Sequence, residues 1–423
     1  MDSKLFSVGA IFLSVAFLLL GNGLIGTLLP LRAHLEGFSD IEVGAIGSFY
    51  YVGFVAGCYV VPRILARVGH IRTFAVAASL TAATVLLQPM WVSPPVWFAD
   101  RAAFGFCAAG VSMVIESWLN DRATNKTRGR ILASYVGINM MALLAGQWLL
   151  PLAAPKSYVL FSLAAIIYTL GVVPVGMTRL PQPIPQPAPA LRIRRLIKKT
   201  PVGVAGVITV GLANMAFWAL APVYAIALGF STFGIALFMS AFIAGGMFIQ
   251  FPLAWFSDWL DRRWIIAGVC AAAAVGGVAL AFSGRWTTQM PWLLYPLAFF
   301  YGTAMLPLYS LSIAHANDRI ERMDFVETSA TLLLVNALAA IAGPIIAAFV
   351  TARAGLASLF FYTASVHLAM VAFTLTRIGV KKASPDDKRD HFIAVPQQLA
   401  SVDAAELDPR APAHEDKSGV EAA

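Results

Sequence analysis

Residues 101–147 read RAAFGFCAAGVSMVIESWLNDRATNKTRGRILASYVGINMMALLAGQ. Two long apolar runs meet in this stretch across a short charged turn. Glu116-Ser117-Trp118-Leu119-Asn120-Asp121-Arg122 closes the first run, and Arg128-Gly129-Arg130 opens the second. Runs of this size suit a membrane span, which needs about 20 apolar residues. Charge held close to lipid is costly, about 2.5–3.5 kcal/mol for each Arg, Lys or Asp at mid-bilayer. A chain that keeps such residues there uses them for a pathway, a gate or a packing lock.

Composition agrees with a bilayer as the solvent. Of 423 residues, 59% are hydrophobic and 12% are charged, about half the charged share of a soluble chain. The three cysteines, Cys58, Cys107 and Cys270, lie far apart inside apolar runs. That spacing fits neither a disulfide framework nor a metal site. The net charge of +8 comes from short basic clusters between apolar runs, a topology signal rather than a nucleic-acid one. The first run lacks a small-residue cleavage site and is expected to stay as a helix.

Apolar runs fall near residues 6–29, 41–61, 73–92, 95–118, 131–153 and 157–177, then near 203–227, 233–256, 264–283, 291–314, 328–350 and 356–376. The fold class is therefore an all-α membrane protein with about twelve transmembrane helices in two bundles of six. Arg63, Arg67 and Arg72 lie between runs 2 and 3, and Arg122, Lys126, Arg128 and Arg130 between runs 4 and 5. Arg262 and Arg263 follow run 8, and Arg319 and Arg322 follow run 10. All these clusters fall on one side, so both termini are expected in the cytoplasm of a cell (inner) membrane. The expected organisation is a first bundle over 1–178, a cytoplasmic linker over 179–202, a second bundle over 203–377 and a disordered tail over 378–423. The linker has alternating prolines, which favour an extended spacer. Its basic end, Arg192 to Lys199, has the charge to lie on anionic headgroups. The tail is polar and without periodicity.

The two halves are a repeat. An offset of 192 places Asn22 on Asn214, Pro30 on Pro222, Gly37-Phe38-Ser39 on Gly229-Phe230-Ser231, and Gly53 on Gly245. An offset of 197 places Asn120-Asp121-Arg122 on Asn317-Asp318-Arg319, Asn139 on Asn336, and Ala145-Gly146 on Ala342-Gly343. Leu and Ala matches would arise by chance in such a chain, but matched Asn, Pro and an Asn-Asp-Arg triplet do not. Repeats of this kind are the mark of secondary transporters, with the solute site near the midplane where the halves meet.

After run 2 the chain reads Pro62-Arg-Ile-Leu-Ala66-Arg67-Val-Gly69-His70-Ile-Arg72, and after run 8 Ala254-Trp-Phe-Ser-Asp258-Trp-Leu-Asp261-Arg262-Arg263. Both resemble the loop signature of the major facilitator superfamily. The first copy has lost the Gly and the Asp of that signature, and the second has Ala254 and Trp259 in place of Gly and Arg. Arg101-Ala-Ala-Phe-Gly105 resembles the family's Arg-x-x-x-Gly pattern. Glu116-Ser117, Arg128-Gly129-Arg130, Ala133-Ser134-Tyr135 and Gly146-Gln147 resemble the YcaD-like branch of that superfamily. The resemblance, over about residues 5–377, implies helices 1, 4, 7 and 10 around a cavity and helices 2, 5, 8 and 11 between the halves. It implies a cytoplasmic gate built from Arg67, Gly69, Arg72, Asp121, Arg130, Asp258, Arg262 and Arg263. The antiporter Gly-Pro pair is missing at Gly146-Gln147 but present at Gly343-Pro344, so uptake and efflux both stay open.

Arg101, Gly105, Ser112 and Glu116 share one helical stripe. Arg101 and Glu116 lie 15 residues apart, about 22 Å along a helix, and cannot pair with each other. Arg101 suits an anionic group. Glu116, held partly out of water, suits proton carriage, or a structural pair with Arg128 or Arg130. Asn22, Asn214, Asn139, Asn336 and Gln147 suit solute contact or interhelical bonding; Trp218, Gln250 and Tyr309 are further candidates. The expected function is secondary active transport of a small organic solute by alternating access, coupled to protons. The alternative is a solute sensor of the same fold. No phosphate loop, metal cluster or catalytic set stands in the sequence, so neither an enzyme nor an ATP-driven pump is expected. The expected partners are the bilayer and the solute, with no nucleic acid and no cofactor beyond a proton gradient, and the chain is expected to be a monomer.

Overall fold

The computed structural model describes residues 3–178, 191–287, 289–321 and 324–380, together with Pro183, Phe392, Ala394, Val395, 402–409 and Ala411. Among these are twelve helices long and apolar enough to cross a membrane. They are α1 (Val8–Leu35), α2 (Asp40–Val68), α3 (His70–Met90), α4 (Pro94–Arg122), α5 (Arg128–Leu152) and α6 (Val159–Gly176). The second set is α7 (Pro201–Ala227), α8 (Thr232–Gln250), α9 (Arg262–Arg285), α10 (Pro291–Asn317), α11 (Phe325–Ala354) and α12 (Ser358–Val380). Several run beyond their apolar core. α2 passes through Pro62 and α4 continues through Asn120 to Arg122, because a helix still satisfies its own backbone groups after it leaves lipid. α10 is broken at Pro307, between Leu294–Met305 and Leu308–Asn317, where proline removes a backbone donor.

The packing repeats as the sequence does. In the first half α2 packs on α4, α1 on α5 and α3 on α6; in the second α8 packs on α10, α7 on α11 and α9 on α12. The halves meet through α2 on α11, α1 on α7 and α5 on α8. Gly37 and Gly229 are repeat partners with φ of 85° and 84°, the left-handed region open to glycine. Each turns the chain into a helix capped by the following serine: Ser39 accepts from the Glu42 N–H and Ser231 from the Gly234 N–H. Twelve spans put the start of α1 and the end of α12 on one side, the terminal face; the other side is the far face.

Two segments outside the spans are built differently from expectation. The basic end of the linker forms a helix over Ile193–Lys199. Arg195 and Lys199 reach Asp324 at 2.9 and 3.1 Å, and Arg192 reaches Glu327 at 3.3 Å. These positive charges thus have protein carboxylates at the start of α11, where composition pointed to headgroups. The Pro-rich part of the linker, apart from Pro183, lies outside the described residues. The polar tail was expected to be disordered, but parts of it dock on the terminal face. Phe392 is buried, and Val395 exchanges hydrogen bonds with Ser310 Oγ. Val402–Leu407 forms a 3-10 turn, Leu407 is fully buried, and Arg128 Nη1 donates to the carbonyls of Asp408 and Ala411. The apolar residues concerned are few and aperiodic, so composition alone gave them no partner.

Candidate functional site

The site begins with two glycines. A Cβ on Gly105 would lie 1.9 Å from the Tyr50 carbonyl oxygen, and one on Gly53 would lie 1.8 Å from the Ala102 carbonyl oxygen. Only hydrogen at these positions lets α2 and α4 touch backbone to backbone. The repeat partners do the same: a Cβ on Gly302 would lie 1.9 Å from the Phe242 carbonyl oxygen, and one on Gly245 would lie 2.0 Å from that of Phe299. The tight crossing places Tyr50 of α2 beside Arg101 of α4. The guanidinium carbon stands 5.0 Å from the Tyr50 ring centroid and 4.7 Å from that of Phe104, within cation–π range.

Arg101 faces a cavity between the halves with about 1100 Å³ of empty space, part of it open to the outside. The first half supplies Asn22, Tyr50, Tyr51, Phe54, Arg101 and Phe104 to its walls, and the second supplies Met215, Trp218, Leu333, Asn336 and Ala337. Pro30 and Val43, each near the α1–α2 turn, also line it, so the cavity extends toward the far face. Toward the terminal side the helices pack together, with Glu116, Tyr135 and Tyr309 buried there. Tyr168 donates to Asn22 Oδ1 at 2.6 Å, leaving the Asn22 amide hydrogens for another acceptor. Asn336 Oδ1 is buried and has no hydrogen-bond partner. Tyr51 of α2 contacts Met215 of α7 across the halves through its hydroxyl.

The candidate pathway residues separate into groups. Asn22, Arg101 and Asn336 line the cavity together, as does Trp218. Gln147 instead ties α5 to α1: its Nε2 donates to the Gly23 carbonyl at 2.8 Å, and its Oε1 accepts from Thr27 at 2.6 Å. Asn214 is fully buried and donates to the Met305 carbonyl at 3.4 Å. Asn139 is buried in α5, one turn from the lining residue Leu143, and does not itself line the cavity. Glu116 is fully buried below the cavity, where it accepts from Tyr135 at 3.2 Å.

The gate candidates separate as well. Arg67 and Arg72 are exposed, with no ion pair among the described residues. Gly69 ends α2 at φ 82°, and Asp121 stands 3.7 Å from Arg122. Arg130 is exposed, and the side chain of Asp258 lies outside the described residues. In the second half Arg262 is buried and bonds Asp318 at 2.7 Å. Arg263 bonds Asp261 at 2.6 Å and the Arg377 carbonyl at 3.1 Å. Arg262–Asp318 ties the start of α9 to the end of α10, and the Arg263 bond to the Arg377 carbonyl ties it to the end of α12, both within the second half.

Sequence reasoning passed over Asp100. It is buried, and its Oδ2 accepts from Gln88 Nε2 of α3 at 2.6 Å. The usable signal was an Asp-Arg pair inside an apolar run. Tyr50 and Phe104 were missed too, since nothing in an apolar stretch marks an aromatic ring as the neighbour of a cation.

Two repeated bundles around a midplane cavity are the construction of a membrane solute transporter. The chain belongs to the Major Facilitator Superfamily, whose family model matches residues 11–326. It is 24% identical over 364 residues to the uncharacterized MFS-type transporter YcaD of Escherichia coli, covering 86% of this chain and 93% of that protein. Among solved structures it is similar to the nucleoside transporter NupG, with a TM-score of 0.70 and 15% identity over 90% of this chain and all of that one. A D-xylose–proton symporter gives a TM-score of 0.68 and 14% identity, covering 92% and 99% of the two chains. At such identities these structures share the fold.

Proposed function

We propose that this transporter moves a small organic solute by alternating access, coupled to protons, with both termini in the cytoplasm. The observation that carries the reading is the cavity between the halves. It extends toward the far face, it is closed on the terminal side, and it holds a guanidinium in an otherwise uncharged wall. A solute bound there would reach the terminal face once the halves rock about the α2–α11 and α5–α8 contacts. Exposed Arg67, Arg72 and Arg130 on the terminal face support a cytoplasmic placement.

Glu116 is the proton carrier in this reading. It is a buried carboxylate on the closed side of the cavity, on the same helix as Arg101. Opening toward the terminal face would bring water to it, and a carboxylate that alternates between packed and wetted surroundings alternates in proton affinity. The Arg262–Asp318 pair and the Arg263 bond to the Arg377 carbonyl brace the helix ends on that face. The D-xylose–proton symporter offers a precedent for proton coupling on this fold.

Proteoliposomes carrying a pH-sensitive dye, challenged with candidate solutes one at a time, test the reading. At least one solute is expected to move protons with the parent protein, and Glu116→Gln is expected to abolish that movement. Unchanged proton movement with the parent pH dependence would remove Glu116 from the role. Solute binding without flux across the whole panel would favour a sensor.

A further inference from the structure

We infer that the cavity selects an aromatic organic anion that also carries a hydrogen-bond donor; this rests on the transporter reading above and names its solute class. Arg101 is the one charged side chain among the described residues lining the cavity. It forms no ion pair among the described residues, and its Nε has no hydrogen-bond partner. The neighbouring carboxylate, Asp100, is one position earlier along the helix and so turned about 100° away; it is bonded to Gln88 and does not line the cavity. A guanidinium in a largely apolar wall, with its neighbouring carboxylate outside the cavity, repels cations and rewards a carboxylate, with which it forms charge-assisted bonds.

The rest of the wall sets the body of the solute. Tyr50, Tyr51, Phe54, Phe104 and Trp218 give flat apolar surfaces on two sides, suited to a ring. Asn22, its oxygen already engaged by Tyr168, offers N–H donors near the cation and adds to the anion subsite. Asn336 comes from the other half and presents a bare acceptor oxygen, which calls for a donor on the far end of the solute. A ligand that bonds both Arg101 and Asn336 also links the two halves, so binding would bear on their relative movement.

Indole-3-acetate, indole-3-acetamide and tryptamine share a ring and an N–H and differ in charge; 1-naphthaleneacetate keeps the charge and lacks the N–H. Binding to the purified full chain is read by calorimetry. Indole-3-acetate is expected to bind at least about tenfold tighter than the amide, the worth of one charge-assisted hydrogen bond, and tryptamine to bind more weakly still. Arg101→Gln is expected to erase the advantage of the acid, and Arg101→Lys to restore part of it. Asn336→Leu is expected to weaken indole-3-acetate and leave 1-naphthaleneacetate unchanged. Equal or tighter binding of the amide or amine overturns the inference, as does no binding of the acid at low millimolar concentration. Acid-selective binding without flux upholds it and sinks the transporter reading instead.

A separate observation concerns the tail. Residues 402–407 sit against α4 and α5 of the first half and α11 of the second. Leu407 and Asp408 are buried, Ala405 and Ala411 pack on Phe325, and Pro409 lies beside Gly129. Arg128, itself buried, holds two of their carbonyls. We propose that this segment is a strap that fixes the spacing of the halves on the terminal face and must leave before that face opens. Nitroxide pairs at Arg67→Cys and Leu260→Cys, both exposed helix-end positions, read that spacing in a chain whose native cysteines are replaced by alanine. Deleting 402–423 is expected to broaden the distance distribution and move population away from the full-length distance. Leu407→Glu, which keeps the chain length, is expected to do the same. Superimposable distributions for both variants overturn the proposal.

Discussion

Gly105→Ala gives the sharpest test of how the site is built. The added Cβ would sit 1.9 Å from the Tyr50 oxygen, where an unstrained carbon–oxygen contact needs about 3.3 Å. α2 and α4 would have to part by roughly 1.4 Å at their crossing, a difference taken from those two distances. Backbone lines both sides of the contact, so no side chain can turn aside to absorb the change. Overpacking of this kind costs about 1–3 kcal/mol. The same displacement carries Tyr50 away from Arg101, so solute affinity should fall together with stability. Gly137→Ala is the matched control, because its Cβ meets nothing within 4 Å on an exposed face of α5; there the change should be neutral or stabilising by about 0.5–1 kcal/mol. Thermal unfolding in detergent, followed by tryptophan fluorescence, reads stability, and solute binding reads the site. If Gly105→Ala unfolds and binds like Gly137→Ala, the close crossing does not build the site.

Other outcomes follow from single contacts. Arg262→Ala or Asp318→Ala breaks a buried ion pair and should cost about 3–5 kcal/mol; the double variant should lose less than the sum in a thermal-unfolding cycle. Gln147→Leu removes two buried hydrogen bonds between α1 and α5, each worth about 0.5–1.5 kcal/mol, and should lower stability while leaving solute affinity intact. The Lys199 hydrogen bond, backed by Arg195 and Arg192, holds the Asp324 carboxyl below its ordinary value of 3.8. A lowered folded-state value means the contact contributes fully above pH 3.8 and is lost as pH falls through the lowered value. Hydrogen exchange over 193–199 should therefore stay slow at neutral pH and quicken only in strong acid, whereas Asp324→Asn should quicken it at neutral pH.

Much of the architecture was legible because lipid imposes it. A span must be apolar and must satisfy its own backbone, so hydropathy alone located all twelve helices. The repeat was readable through its polar and glycine positions, and the glycines that matched across the halves make matching helix contacts. The polar candidates were only partly sorted. Asn22 and Asn336 line the cavity, while Gln147 and Asn214 bond neighbouring helices, because an amide in an apolar run serves either purpose and only its neighbours decide which. The ion pairs show the same limit. Arg262 and Arg72 both belong to the basic clusters that close the two loop signatures, yet one is buried on Asp318 and the other stands exposed.

The stretch from Arg101 to Gln147 shows where the division falls. Its sequence set two spans, a charged turn between them, and an arginine too deep in lipid to be incidental. Those features depend on the solvent around each segment, which local composition records. Tertiary structure decided that Arg101 faces a cavity with no counter-charge in its wall, that Glu116 lies below that cavity, and that Arg128 holds a segment of the tail. Each of these depends on which backbone comes within a few ångströms of which, and residues 20 to 280 positions apart leave no mark of that in the local sequence.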